Sequence, residues 1–112
     1  MRIQLVAEKM SRARHALMLP HAQGEAESIA EAFLFCDLAF KTLGTIELGE
    51  RERELIATIT ELMDSSGVND AGNRGPWVVK AERLSYEQKL ALSRAIDALT
   101  HSLERRYWQT PN

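Results

Sequence analysis

The sequence predicts an all-α protein: a small antiparallel bundle of about four helices, forming one domain over residues 1–112, with a Gly/Asn-rich loop before the last helix. Three observations predict this class. Apolar residues recur at three- and four-residue steps through most of the chain, which is the spacing of one helix face. The six glycines and three prolines fall between or outside these stretches. The chain of 112 residues is also well below the roughly 250 at which single cores usually split into domains.

The first expected helix runs from about Arg2 to Leu19. Its apolar face consists of Ile3, Val6, Met10, Ala13 and Leu17. We expect Pro20 to end it, because the residue before a proline avoids the helical region.

The second expected helix runs from Glu25 to Gly44, with acidic residues in its first turn and a glycine at its end. Its apolar stripe consists of Ile29, Phe33, Cys36, Phe40 and Leu43. At about 100° per residue, Leu34 and Leu38 lie nearly opposite that stripe, where the surface helix of a monomer carries polar residues. With Phe35 on one flank, the middle of this helix is apolar almost all round.

The third expected helix begins at Gly49–Glu50 and ends before Gly67. Alternating Glu and Arg from Glu50 to Glu54 predict a solvated charged face, and Leu55, Ile56, Ile59, Leu62 and Met63 supply the buried one. A loop rich in Gly, Asn and Asp follows over residues 68–76. We expect Trp77–Val79 to be extended; the alternative is a helix that opens at Pro76.

The last expected helix begins at Ser85, which with Gln88 fits a capping box. Its apolar face consists of Leu92, Ile96, Leu99, Leu103 and Tyr107. Tyr107 and Trp108 lie at the end of this helix. Together with Trp77 and Tyr86, these aromatics lie at segment ends, where half-exposed Trp and Tyr are favoured at protein interfaces or cover the ends of a bundle.

Charge and composition argue against several classes of function. Fourteen basic and sixteen acidic residues give a net charge of −2, which disfavours a dedicated nucleic-acid binder, although residues 25–64 alone carry −7. A single cysteine excludes an internal disulfide and a thiolate-built zinc site. His15, His21 and His101 fall in no spacing that pre-arranges metal ligands. We therefore expect no cofactor and no enzymatic activity.

The apolar middle of the second helix also contains a thiol, Cys36, and a carboxylate, Asp37. Cys36 lies on the apolar stripe, so we expect a buried and unreactive thiol. Asp37 lies within an apolar stretch and needs a partner, for which a base of the first helix or Arg94 is the expectation.

The N-terminus lacks the uninterrupted apolar run of a secretory signal, and no apolar stretch is long enough to span a bilayer. We therefore expect a cytoplasmic protein in a reducing compartment, with no membrane contact.

These observations favour a non-enzymatic regulatory protein that binds and sequesters another protein, in the manner of an anti-activator, anti-sigma factor, antitoxin or chaperone. A transcriptional regulator is the preferred partner, and a homodimer the expected assembly. The expected contact residues are Leu34, Leu38, Phe35, Trp77, Tyr107 and Trp108.

Two alternatives stay open. The first is a small-ligand- or cofactor-binding bundle, possibly with activity, that uses Asp37, His15 and the aromatics around a core cavity. The second is a nucleic-acid accessory protein that uses the bases of the first helix, Arg2, Lys9, Arg12 and Arg14.

Overall fold

A computed structural model describes residues 2–18, 21, 24–44, 46–70 and 72–109, without the side chains of residues 2 and 107–109. These residues contain five α-helices and no strand: α1 (Arg2–Ala16), α2 (Glu25–Leu43), α3 (Glu50–Met63), α4 (Pro76–Arg83) and α5 (Tyr86–Gln109). The all-α class predicted from the sequence is therefore confirmed.

The helix count differs from the sequence prediction because Pro76–Arg83 forms α4. The expectation that Trp77–Val79 is extended was wrong. Pro76 occupies the opening turn, where its fixed φ suits a helix, and Gly75 before it adopts a φ of 103°. An extended segment would also need a neighbouring strand for its backbone groups, whereas a helix satisfies its own. The Gly/Asn-rich loop accordingly leads into α4 rather than directly into the last helix.

Helix α1 packs against both α2 and α5 and runs antiparallel to each. Against α2, the Arg12 guanidinium lies 5.9 Å from the centre of the Phe35 ring, and Ala16 shares a groove with Glu31. Against α5, Thr100 bonds to Met10, and Arg14, one turn further along α1, reaches Asp97. In both pairs, residue numbers rise along one helix as they fall along the other.

Helix α3 packs on α5, with Glu52 near its start bonded to Arg106 near the end of α5, so this pair is also antiparallel. Contact between α2 and α3 is slight, and α4 packs on α2 and touches α3. We call the region where α5 packs on α1 and α3 the α5 side. We call the region where α4 lies between α2 and α3 the α4 side.

The helix ends agree with the sequence expectation at α2 and α5 but not at α1, which ends at Ala16 rather than near Leu19; Pro20, which was expected to end it, lies outside the described residues. Gly44 takes a φ of 55° after the last residue of α2. At α5, the Ser85 N–H donates to Gln88 Oε1 at 2.8 Å and the Gln88 N–H donates to Ser85 Oγ at 3.1 Å, so the predicted capping box is confirmed. The core between the helices is closed by large, fully buried side chains: Val6, Met10, Phe33, Ile59, Leu92, Ile96, Leu99 and Leu103.

Candidate functional site

Two leucines on the outer face of α2 are exposed. Leu34 is 44% exposed and Leu38 is 36% exposed, whereas the neighbouring Phe33 and Cys36 of the same helix are fully buried. The two leucines are four residues apart and thus adjacent on one helix face, and Ala30 continues the row by one more turn. We call Ala30, Leu34 and Leu38 the leucine stripe. The exposure anticipated from the helix periodicity is present.

Phe35 faces a different neighbour from the leucine stripe. It is half-buried and lies under the Arg12 guanidinium of α1. The open groove beside it has a volume of about 420 Å³ and is lined by Ser11, Arg12, His15, Ala16, Glu31 and Phe35. The cation–π contact and packing against α1 account for this ring as part of the α1–α2 contact.

Trp77 occupies the region where α2 and α3 diverge. It is half-buried in the first turn of α4, and its ring meets Phe33 of α2 edge-on, with centroids 6.3 Å apart and an interplanar angle of 65°. This edge-to-face contact fixes α4 against the core of α2. The remaining part of the indole borders two surface concavities.

The loop before α4 is held by its own polar side chains. Asp70 accepts hydrogen bonds from the backbone N–H groups of Arg74 and Gly75, both at 2.9 Å. Arg74 in turn donates to both carboxylate oxygens of Glu82, at 2.8 and 2.7 Å, and lies 3.8 Å from Glu27 on α2. These contacts fix the start of α4 and therefore the position of Trp77.

The two concavities beside Trp77 adjoin, because both include Ser65 and Trp77. One, of about 440 Å³, is lined by Ala30, Ser65, Gly75, Pro76, Trp77 and Val78. The other, of about 600 Å³, is lined by Ala57, Thr60, Glu61, Met63, Asp64, Ser65 and Trp77. We call them together the Trp77 groove. Through Ala30 it joins the leucine stripe, so Trp77, Leu34 and Leu38 belong to one surface.

The electrostatics of the Trp77 groove are acidic. Its charged lining residues are Glu61 and Asp64, both exposed near the end of α3. A hydrogen bond from the Ser66 backbone N–H lowers the pKa of the Asp64 carboxyl, which keeps it ionised at neutral pH. Lys80 attracts Asp64 as well but lines neither concavity.

Tyr107 and Trp108 lie in the last turn of α5, and their side chains fall outside the described residues. The backbone there lies where α3 begins, because Arg106 bonds to Glu52. Trp77 lies beside the end of α3 instead. The six expected contact residues therefore separate into Leu34, Leu38 and Trp77 on one surface, Phe35 toward α1, and the α5 pair at the opposite end of α3.

Cys36 and Asp37 differ in how far the structure supports their expected roles. Burial raises the pKa of the Cys36 thiol to about 12, so the expected unreactive core thiol is what the structure contains. Asp37 pairs with Lys41 one turn further along α2, at 2.8 Å, rather than with α1 or Arg94. An i, i+4 partner on the same helix is sufficient because Asp37 remains partly exposed.

Residues of metal-binding or catalytic type are dispersed. Among the described residues, no three His, Cys, Asp or Glu side chains are close enough to hold a metal ion. His15 lines the groove at Phe35, whereas Asp37 does not, so the pair suggested for a ligand site is not brought together there. Within the described part of the chain, the His101 side chain forms polar contacts only with Asp97 of its own helix, with Nδ1 2.9 Å from the Asp97 carbonyl oxygen and 3.5 Å from its carboxylate.

Two buried polar residues on the α5 side escaped the sequence analysis. Glu52, assigned to a solvated face, is only 4% exposed. It accepts hydrogen bonds from the Gly49 N–H at 2.9 Å, from Ser102 Oγ at 2.7 Å and from the Arg106 guanidinium. Burial opposes its ionisation, but these donors outweigh that cost and hold the pKa of Glu52 below its ordinary value.

Thr100 is the second of these buried residues. It is fully buried, and its hydroxyl lies 3.1 Å from the Met10 carbonyl of α1 and 2.7 Å from the Ile96 carbonyl of its own helix. The only sequence signal for it was a polar residue next to Leu99 on the apolar face of the last helix. Both residues have bonding partners that explain their burial, so neither indicates a binding site.

Comparisons with protein-family models, with curated proteins and with solved structures found no match to this chain. Within the described residues, no helix combines the length and apolar character needed to cross a lipid bilayer. The candidate functional surface is the leucine stripe together with the Trp77 groove, because these exposed apolar residues adjoin one another.

Proposed function

We propose that this protein is a non-enzymatic regulator that binds another protein through the leucine stripe and thereby sequesters it. The observation that carries the proposal is the exposure of Leu34 and Leu38 beside the Trp77 groove. Full burial of a leucine side chain is worth about 1.5–3 kcal/mol. Adjacent exposed leucines rimmed by polar residues are typical of an interaction site.

The preferred partner is a transcriptional regulator whose oligomerisation or activation surface the protein occupies in the cytoplasm. This preference rests on the small size and helical class of the chain, which are shared by anti-activators, anti-sigma factors, antitoxins and chaperones. Such proteins act by occupying a surface and need no catalytic group.

A homodimer with the leucine stripe at or beside its interface is also proposed, since a two-fold dimer is the commonest way to cover such a patch. The alternative is that the stripe contacts only the foreign partner, in which case the protein alone stays monomeric. Sedimentation equilibrium of the wild type and of Leu34→Glu/Leu38→Glu tests the homodimer. We expect a dimeric wild type and a folded, monomeric variant. A wild type that stays at 12.6 kDa at high concentration excludes the homodimer.

The regulatory proposal is tested by affinity capture from the native cell extract, followed by mass spectrometry and by binding of the purified partner. We expect a partner bound by the wild type and lost in Leu34→Ser/Leu38→Ser. The matched control is Met18→Ser/Tyr86→Ser, which removes apolar residues that are 53% and 74% exposed elsewhere. Equal binding by both double variants would exclude the leucine stripe as the contact surface.

A further inference from the structure

The Trp77 groove has features that specify the chemistry of its occupant. Its floor and walls are mostly apolar, from Trp77, Val78, Met63 and the α2 residue Ala30. Both concavities are open to solvent along their length. An open trough of this kind suits side chains projecting from a macromolecule better than a small ligand, which is usually 70–90% enclosed.

The adjoining leucine stripe indicates that the occupant is a helix. Ala30, Leu34 and Leu38 form a row at four-residue spacing, and such rows are the ridges that interlock in the commonest class of helix packing. An incoming helix laid along α2 can place its apolar face on this ridge and insert one side chain beside Trp77. The resulting contact is that of an amphipathic helix in an apolar groove.

Charge indicates which amphipathic helix would fit. The Glu61 carboxylate forms no ion pair or hydrogen bond with the described residues, and Asp64, which Lys80 attracts, stands at the end of α3 beside it. The last turn of α3 contains no basic residue to offset the negative end of its dipole. Arg74, the residue before the lining residue Gly75, is already paired with Glu82 and lies 3.8 Å from Glu27. A cationic side chain would be stabilised at this rim, and an anionic one repelled.

We propose that the Trp77 groove binds a basic amphipathic helix of the partner protein. Its apolar residues contact Trp77 and Leu34, and its Lys or Arg residues face Glu61, Asp64 and the end of α3. This inference rests on the proposed function and specifies the partner's contact segment.

The test begins with selection from a phage-displayed library of randomised 20-residue helical peptides against the intact protein. We expect the selected peptides to share apolar residues at i, i+3 or i+4, and i+7, flanked by Lys or Arg. Binding of one such synthetic peptide is then measured by fluorescence anisotropy. A selection without binders, or one dominated by acidic or uncharged sequences, overturns the inference.

Matched variants locate the bound peptide. Glu61→Lys should weaken binding about fivefold and reduce its salt dependence, as expected for one rim charge. The control Glu47→Lys, an equal charge change at an exposed site before α3, should leave affinity within about twofold. Trp77→Ala should weaken binding about thirtyfold, the scale of a tryptophan hot spot. Should Trp77→Ala fail to fold, Trp77→Phe provides the readout, and unchanged affinity in it and in Glu61→Lys overturns the proposal.

The native partner distinguishes this failure from failure of the proposed function. If Leu34→Ser/Leu38→Ser abolishes partner binding while Glu61→Lys and Trp77→Phe leave it unchanged, the protein is a binder but the groove is not its anchor. If no variant of the leucine stripe affects any partner, the proposed function itself fails.

Discussion

On the α5 side, helix α5 packs directly against α1 and α3, and a buried polar side chain joins it to each. Thr100 reaches the Met10 carbonyl of α1, and Ser102 and Arg106 of α5 bond to Glu52 of α3. On the α4 side, α2 and α3 barely touch, and the short helix α4 lies between them with Trp77 half-buried.

The buried polar contacts of the α5 side stabilise the fold, whereas the α4 side has exposed apolar surface. Buried hydrogen bonds tolerate one arrangement of their partners, since an unpaired buried group costs about 1–3 kcal/mol. Apolar contacts are less directional, and the leucine stripe and the Trp77 groove retain surface that another helix can cover. We therefore expect a helix bound on the α4 side to leave the contacts of the α5 side intact.

The largest expected contrast is between two leucines. Leu99→Ala on α5 removes a fully buried side chain and should lower the free energy of unfolding by about 2–5 kcal/mol. Leu34→Ala, on the exposed stripe, should lower it by no more than about 0.5–1 kcal/mol. Urea denaturation followed by circular dichroism measures both. Comparable losses would mean that Leu34 is part of the core of the folded protein.

The next contrast concerns the buried carboxylate. Glu52→Gln should destabilise the protein at pH 7 by about 1.5–3 kcal/mol, the range for hydrogen bonds to a charged group. Because the pKa of Glu52 is lowered in the folded state, its contribution is present above the ordinary value of 4.5 and disappears as pH falls through the folded value. The difference between wild type and Glu52→Gln should therefore vanish in strong acid.

Glu54→Gln is the matched control for this pH dependence. Glu54 lies on the same helix but is 60% exposed and pairs loosely with Arg51 at 3.8 Å. Its substitution should leave the stability curve against pH close to that of the wild type. A Glu52→Gln variant that loses stability equally at all pH values would show that the loss does not come from removal of the negative charge.

The same contrast explains what could be read from the sequence. The apolar stripes of the four long helices are local and repeat many times, so the helices and the exposure of Leu34 and Leu38 followed from helical spacing. The capping box followed from Ser85 and Gln88, which are only three residues apart. Glu52 could not be recognised in this way, because alternating Glu and Arg residues look the same whether or not one of them is buried. Its donors Ser102 and Arg106 lie about fifty residues away in sequence.

Helix α4 corresponds to the alternative of a helix opening at Pro76, and the extended segment was preferred over it for a different reason. It is only eight residues long and opens with Trp and two β-branched valines, which favour strands when taken alone. Packing of Trp77 on Phe33 overrides that preference. The sequence predicted Trp77 as a contact residue but not the groove beside it, because that groove depends on α4.

A smaller effect is expected for the buried hydroxyl. Thr100→Val preserves shape but removes the hydroxyl, whose single proton is shared between the Met10 carbonyl of α1 and the Ile96 carbonyl of its own helix, and should cost about 0.5–1.5 kcal/mol. Thr58→Val is the control, since the exposed Thr58 hydroxyl donates only to Glu54 of its own helix. Urea midpoints of the two variants give the comparison. If Thr58→Val costs as much, the contact between α1 and α5 owes nothing to Thr100.

The smallest effect is expected for the ion pair on the surface of the α5 side. Arg14 and Asp97 are 2.6 Å apart but 46% and 51% exposed, so solvent screens their attraction. A double-mutant cycle of Arg14→Ala and Asp97→Ala should give a coupling energy of about 0.2–1 kcal/mol at low salt, falling toward zero at 1 M salt. His101 also contacts Asp97, at 3.5 Å, so the cycle is measured in a His101→Gln background that removes this contact. A coupling larger than the cost of Thr100→Val would place the main polar link between α1 and α5 at the surface. The polar link between these two helices would then be one that salt weakens, and their association would depend on apolar packing as it does on the α4 side.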